Sequence, residues 1–147
     1  MGIWISALHV RRSSLIRATA ERVWQEFTSF ERLSAWFGRG HQLEAYEPRL
    51  GGRILLSVEA DGGKRSFGGP ILIFEPAREL TFSNNWELGG WPVPTLITLR
   101  LTPLFDACHV ELFHHGFERL GADAGAELQD YESGWHSRHL EALKAIV

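Results

Sequence analysis

The sequence predicts an α+β fold: a curved antiparallel sheet of six to seven strands wrapped around a long C-terminal helix, with two short helices after the first strand. Three observations carry this expectation. Strand-like runs separated by Gly and Pro punctuation fill the middle of the chain. A helix-period apolar pattern occupies residues 121–147. One helix cannot cover so many strands if the sheet stays flat, so the sheet must curve around it, and curvature leaves space inside.

The elements follow in order. Val10–Ala18 reads as the first strand. Thr19 is placed to cap a helix beginning at Ala20, and Val23, Phe27 and Phe30 recur on one helical face. Ser29 is placed to cap a second short helix holding Leu33, Trp36 and Phe37, with Gly38 expected to stop it in the left-handed conformation. Six further strand-like runs cover 41–47, 53–59, 65–74, 79–86, 94–102 and 107–115. Asp61-Gly62-Gly63 is a hairpin signal, and Pro70 marks its strand as an edge or as the site of a bulge. The closing helix, 121–147, presents Leu128, Tyr131, Trp135, Ala142, Leu143 and Ile146 on one face, with Trp135 near its centre.

Composition bounds the function. The 147 residues fit one domain, 1–147, and 44% hydrophobic content suffices for a core without disulfides. A net charge of −3 lacks the clustered basic footprint that phosphate binding requires, so no nucleic-acid partner is expected. Cys108 is the single cysteine, which favours a reducing compartment. Ile3–Leu8 is apolar but has no basic segment before it and is short for a secretory signal. No run approaches the ~20 apolar residues that span a bilayer. A soluble, cytoplasmic protein without membrane insertion is the expectation.

Several ordered stretches resemble one family. They are Ile16-Arg17-Ala18 with Arg22-Val23-Trp24, then Leu33-Ser34-Ala35-Trp36-Phe37-Gly38, then Glu47-Pro48-Arg49-Leu50-Gly51-Gly52-Arg53. Gly69, Phe74-Glu75-Pro76 and Leu80-Thr81-Phe82 follow, then Leu112, His114, Gly116 and Phe117. Tyr131, Gly134-Trp135, His139-Leu140 and Leu143 close the set. Together they resemble the SRPBCC superfamily, also called START-like or birch-pollen-allergen-like, and within it the branch named after the activator of the 90-kDa heat-shock-protein ATPase. The resemblance covers residue 10 to the end. It implies the helix-grip fold but not one function, because members bind diverse hydrophobic ligands, act in polyketide cyclisation, or serve as co-chaperone domains.

Candidate site residues lie on the later strands and the closing helix. Val110, Leu112 and His114 share a strand face, so His114 points inward if the first two do. There it is either a cavity acid or base, or a buried imidazole bonded to a neighbouring strand. Glu132, His136 and His139 fall within or beside the apolar face of the helix, as a polar spot in a cavity or as a wet rim pair of Glu132 with His136. Leu80, Phe82, Asn84 and Trp86 share a face, making Asn84 a candidate polar anchor among apolar walls. The candidate ligand-binding set is Trp36, Phe37, Phe67, Phe82, Asn84, Trp86, His114, Tyr131, Trp135 and His139. Ordinary core is the competing reading, above all for Phe82. No catalytic residue is assigned; His139 and His114 are the candidates.

No metal and no cofactor are expected. His114 and His115 point to opposite faces of a strand, and Cys108 and the carboxylates supply no closed ligand set around His136 and His139. Gly62-Gly63-Lys64-Arg65-Ser66 lacks phosphate-loop spacing, and neither a nucleophile elbow nor a Rossmann fingerprint is present. The leading expectation is therefore binding of a small hydrophobic ligand, aromatic or lipid-like, in an internal cavity. Cyclase- or hydrolase-type catalysis by a cavity histidine is the alternative. A co-chaperone-like interaction domain is a third, for which the sequence shows no partner surface. Homodimerisation is left open.

Overall fold

The computed structural model describes residues 8–38, 41–60, 62–135 and 138–147. Strands β1 (His9–Ile16), β2 (Gln42–Tyr46), β3 (Arg53–Ala60), β4 (Gly63–Glu75), β5 (Glu79–Trp86), β6 (Thr95–Pro103) and β7 (Cys108–His115) form one curved antiparallel sheet. Its order is β1-β7-β6-β5-β4-β3-β2. Helices α1 (Ala20–Trp24) and α2 (Phe30–Phe37) follow β1, joined by a 3₁₀ turn at Gln25–Phe27. After β7 come a 3₁₀ segment, Phe117–Asp123, then α3 (Ala124–Gly134) and α4 (Arg138–Ile146). This is the helix-grip arrangement.

Local chemistry sets the ends of the short helices. The Thr19 hydroxyl accepts the Arg22 N–H at 3.1 Å, and the Ser29 hydroxyl accepts the Arg32 N–H at 3.2 Å, each supplying a partner for an otherwise orphaned donor. Gly38 differs from expectation: its φ of −97° and ψ of 19° are not left-handed. An added Cβ there would lie 3.2 Å from the Ser34 carbonyl oxygen, so close approach to the preceding turn is the feature that favours glycine at this position. Pro70 sits in β4, an interior strand, and the ladder to β5 slips between Ile71 and Ile73, so the irregularity falls just beyond the proline.

The long C-terminal helix is the main correction. It is interrupted: α3 ends at Gly134, Trp135 leaves the helical region at φ −89° and ψ 88°, and α4 starts at Arg138. Gly134 weakens the helix by about 1 kcal/mol relative to alanine. The indole of Trp135 then docks inward, stacked on Phe37 at 5.7 Å. The break also resets the buried face of α4, which presents His139, Leu140 and Leu143, while Ile146 is exposed.

The core runs continuously between sheet and helices. Inward residues alternate along β7 as Cys108, Val110, Leu112 and His114, all buried. At the other end Trp24 stacks on Phe27 at 4.8 Å, and Trp36 donates its indole N–H to the Glu26 carbonyl at 3.0 Å. The buried Glu26 carboxylate accepts from Arg22 at 2.9 Å and Arg32 at 3.0 Å, and Arg22 also reaches the Ile146 carbonyl at 3.3 Å. That ion cluster ties α1, α2 and the end of α4 together.

Candidate ligand-binding site

A cleft of about 260 Å³ opens between the β3–β5 side of the sheet and α3. Val58, Arg65, Phe67 and Trp86 line its sheet wall. Asp130, Tyr131, Gly134 and Trp135 line the helix wall, and His41, just before β2, closes one end. The rings meet edge to face. Phe67 lies 5.2 Å from Trp86 and 6.1 Å from Tyr131, and His41 lies 5.1 Å from Trp135, centroid to centroid. Such contacts contribute about 0.5–1.5 kcal/mol each beyond burial, which keeps the walls in place without a ligand.

Backbone packing places these rings. Phe67 pairs directly with Trp86 across β4 and β5 and with Leu56 across β3 and β4. The next residue, Gly68, has φ 142°, and an added Cβ would stand 2.1 Å from the Ile54 carbonyl oxygen. Only glycine allows β3 and β4 to approach in this way beside the cleft.

Behind the helix wall runs a buried polar line. Trp135 donates its indole N–H to His114 Nδ1 at 2.8 Å. An indole nitrogen is only a donor, so Nδ1 carries a lone pair and the imidazole is neutral with its proton on Nε2. That proton is donated to Thr95 Oγ1 at 2.7 Å. Burial, reinforced by the neighbouring His115, holds His114 well below the ordinary histidine range. Thr95 Oγ1 also accepts from Asn84 Nδ2 at 3.3 Å, and Asn84 Nδ2 reaches the Tyr131 hydroxyl at 3.4 Å. Burial raises the Tyr131 phenol above its usual value, so it stays protonated. Asn84 is fully buried, and its Oδ1 has no hydrogen-bond partner among the described residues.

The structure sorts the sequence candidates into three groups. Phe67, Trp86, Tyr131 and Trp135 line the cleft. Asn84 and His114 form the polar line behind Tyr131 and Trp135. Phe37, Phe82 and His139 are fully buried core; Phe37 and His139 contact Trp135 at 5.7 and 5.3 Å, and the buried Trp36 packs on Phe27. His114 is thus an imidazole with both nitrogens engaged, the second of the two roles its strand position allows. Glu132 belongs to a wet rim, where it pairs with Arg12 at 3.1 Å rather than facing a cavity. His136 lies outside the described residues.

Five cleft residues are not in the candidate ligand-binding set read from the sequence: His41, Val58, Arg65, Asp130 and Gly134. A signal exists for two of them. Arg65 shares a strand face with Phe67 by alternation, and Val58 is its partner across the β3–β4 hairpin. His41 precedes a strand, and no periodicity reveals its direction. The imidazole that a molecule in the cleft would meet is therefore His41, whose ring stands 4.9 Å from that of His139. Among the described residues no group of three or more His, Cys, Asp or Glu is arranged to hold a metal ion. Among the same residues no helix is long and apolar enough to cross a membrane.

Comparison with known proteins agrees with this architecture. The family model described as Activator of Hsp90 ATPase homolog 1-like protein matches residues 17–147. No curated protein matches. Among solved structures, protein CV1439 from Chromobacterium violaceum superposes with a TM-score of 0.69 at 23% identity, covering 95% of this chain and 96% of that one. DynU16, a putative protein in the dynemicin biosynthetic locus, gives a TM-score of 0.70 at 21% identity over 95% of this chain and 47% of its own. The Aha1 dimer from Colwellia psychrerythraea gives 0.60 at 16% identity over 92% of each chain. At these identities the likeness shows the fold alone. With a family model matched from Arg17 to Val147 and the helix-grip sheet beneath it, the chain belongs to the Activator of Hsp90 ATPase homolog 1-like family of the SRPBCC superfamily.

Proposed function

We propose that this protein binds a small aromatic molecule in the cleft between β3–β5 and α3. The observation that carries the reading is the cleft itself, whose walls are the rings of Phe67, Trp86, Tyr131 and Trp135. Apolar clefts with a few converging polar groups are what small-molecule sites look like. Its volume of about 260 Å³ lies just under the roughly 300–1,000 Å³ of drug-sized sites, which favours a compact ring system over a lipid chain. The orphaned Asn84 carbonyl supports the same reading. A buried acceptor without a partner costs about 1–3 kcal/mol, and a ligand hydroxyl or N–H reaching past Tyr131 would offset that cost.

Thermal shift and dye displacement with one- and two-ring aromatics test the proposal. At 100 times its Kd, a ligand adds about 2.7 kcal/mol of stability, a readily measured rise in Tm. Val58→Trp, which fills the sheet side of the cleft, should abolish that rise. If no ring compound shifts Tm or displaces dye, or if V58W responds as the wild type does, the cleft is not the binding site.

A further inference from the structure

We infer that the cleft selects aromatic molecules carrying a carboxylate, and that Arg65 is the residue that reads the anion. The inference rests on the cleft being the aromatic-binding site.

Three cations stand on β3 and β4: Arg53, Lys64 and Arg65. Two are neutralised, since Arg53 pairs with Glu87 and Lys64 with Glu44. Arg65 makes no ion pair among the described residues. Its guanidinium instead lies over the Trp86 ring, 4.0 Å from the centroid, on the wall of the cleft. By alternation it shares the sheet face of Phe67, the face that elsewhere carries the core. Exposed at the cleft mouth with no acid beside it on its strand pair, this guanidinium is available to pair with an anion supplied from outside.

The stacking prepares Arg65 for that partner. The indole holds the guanidinium against the cleft wall, where its N–H fork can make two parallel bonds to a carboxylate. A ring packed against Phe67 and Trp86 would bring an attached carboxylate to this fork. Lysine would offer only a point charge without the planar match. Asp130 stands on the opposite wall, so a carboxylate held by the Arg65 fork sits on the sheet side of the mouth.

The test compares naphthalene-2-carboxylate, its neutral amide and naphthalen-2-ylmethanamine by calorimetry, on wild type and on Arg65→Gln. Arg65 is exposed, so R65Q should fold and melt as the wild type does. The expected result is about five- to tenfold tighter binding of the carboxylate than of the amide to wild type, the range for a partly solvated charge-assisted fork. The preference should shrink with added salt and vanish in R65Q, with carboxylate affinity falling much more than amide affinity. If the amide binds wild type within about twofold of the carboxylate, if R65Q keeps the preference, or if the amine binds tightest, Arg65 does not read an anion, although the cleft remains an aromatic site. If none of the three binds, both readings fall.

Discussion

Acid should destabilise this protein through His114, and the geometry fixes the sign of the effect. Both imidazole nitrogens are used: Nδ1 accepts from Trp135 and Nε2–H donates to Thr95. Protonating Nδ1 would turn the acceptor into a donor facing another donor, inside the core. The folded protein therefore resists the proton, and the unfolded chain takes it up near the ordinary histidine value of 6.5. With the folded pKa depressed, the unfolded state binds more protons in the window below 6.5. Stability is fully present above that value and falls as the pH drops, until the folded pKa is reached.

For one such group the loss between about pH 7.5 and about pH 5.5 is at most about 1.4 kcal/mol. In a chain of this length that corresponds to about 3–6 °C in Tm. His115 is also lowered by partial burial and adds to the raw slope in the same direction, so the quantity to measure is a difference. His114→Gln can accept from Trp135 and donate to Thr95 without titrating. Tm followed by circular dichroism across this range should fall less in H114Q, by up to the amount given. Equal slopes in the two proteins would refute the argument, because they would mean that folded His114 protonates as freely as the unfolded residue does.

Trp135→Phe keeps a ring against Phe37 but removes the donor to His114, and should lower stability by about 1–3 kcal/mol in chemical denaturation. Trp135→Ala, which also empties a buried site, should cost ~3–5 kcal/mol; an unchanged denaturation midpoint in either variant would contradict the placement of the indole. Gly68→Ala would force a Cβ to 2.1 Å from the Ile54 carbonyl at a φ of 142°, so β3 and β4 must separate beside Phe67. A loss of more than about 2 kcal/mol, together with weaker ring binding, is expected, and a neutral G68A would show that the strands do not approach there.

Much of the frame is legible in the sequence because its signals are local. Thr19 and Ser29 announce their helices through hydroxyls that bond a backbone N–H three residues on. The faces of β5 and β7 follow from alternation, so spacing alone turns Asn84 and His114 inward. The break at Trp135 is not legible. Tyr131 and Trp135 are four apart and both face the core, so a helical wheel passes through the interruption without a mismatch. The wheel then carries its phase into α4: it rightly keeps His139 and Leu143 inward, but it adds Ile146, which is exposed, and misses Leu140, which is buried. The cleft is legible in part. Rings can be guessed from composition and strand face, but Asp130 and His41 reach the cleft through the angle at which α3 and the chain before β2 cross the sheet. That angle is a property of packing, not of any one segment.

The interruption matters for the site as well as for the helix. By leaving the helical path, Trp135 points its N–H at His114, and one donor then orders every hydrogen bond behind the wall. With Nδ1 an acceptor, Nε2–H must give its proton to Thr95. The Thr95 hydroxyl donates its own to the Asn84 backbone carbonyl at 3.3 Å, so it has none to give the Asn84 side chain. The amide must therefore turn its NH₂ toward Thr95 and its oxygen away, which fixes the unpartnered group as an acceptor. On the proposed reading, the group that completes this line is a donor to Asn84, as the group that completes Arg65 is an acceptor at the mouth. The order of donors and acceptors behind the cleft wall thus descends from the point where the C-terminal helix stops.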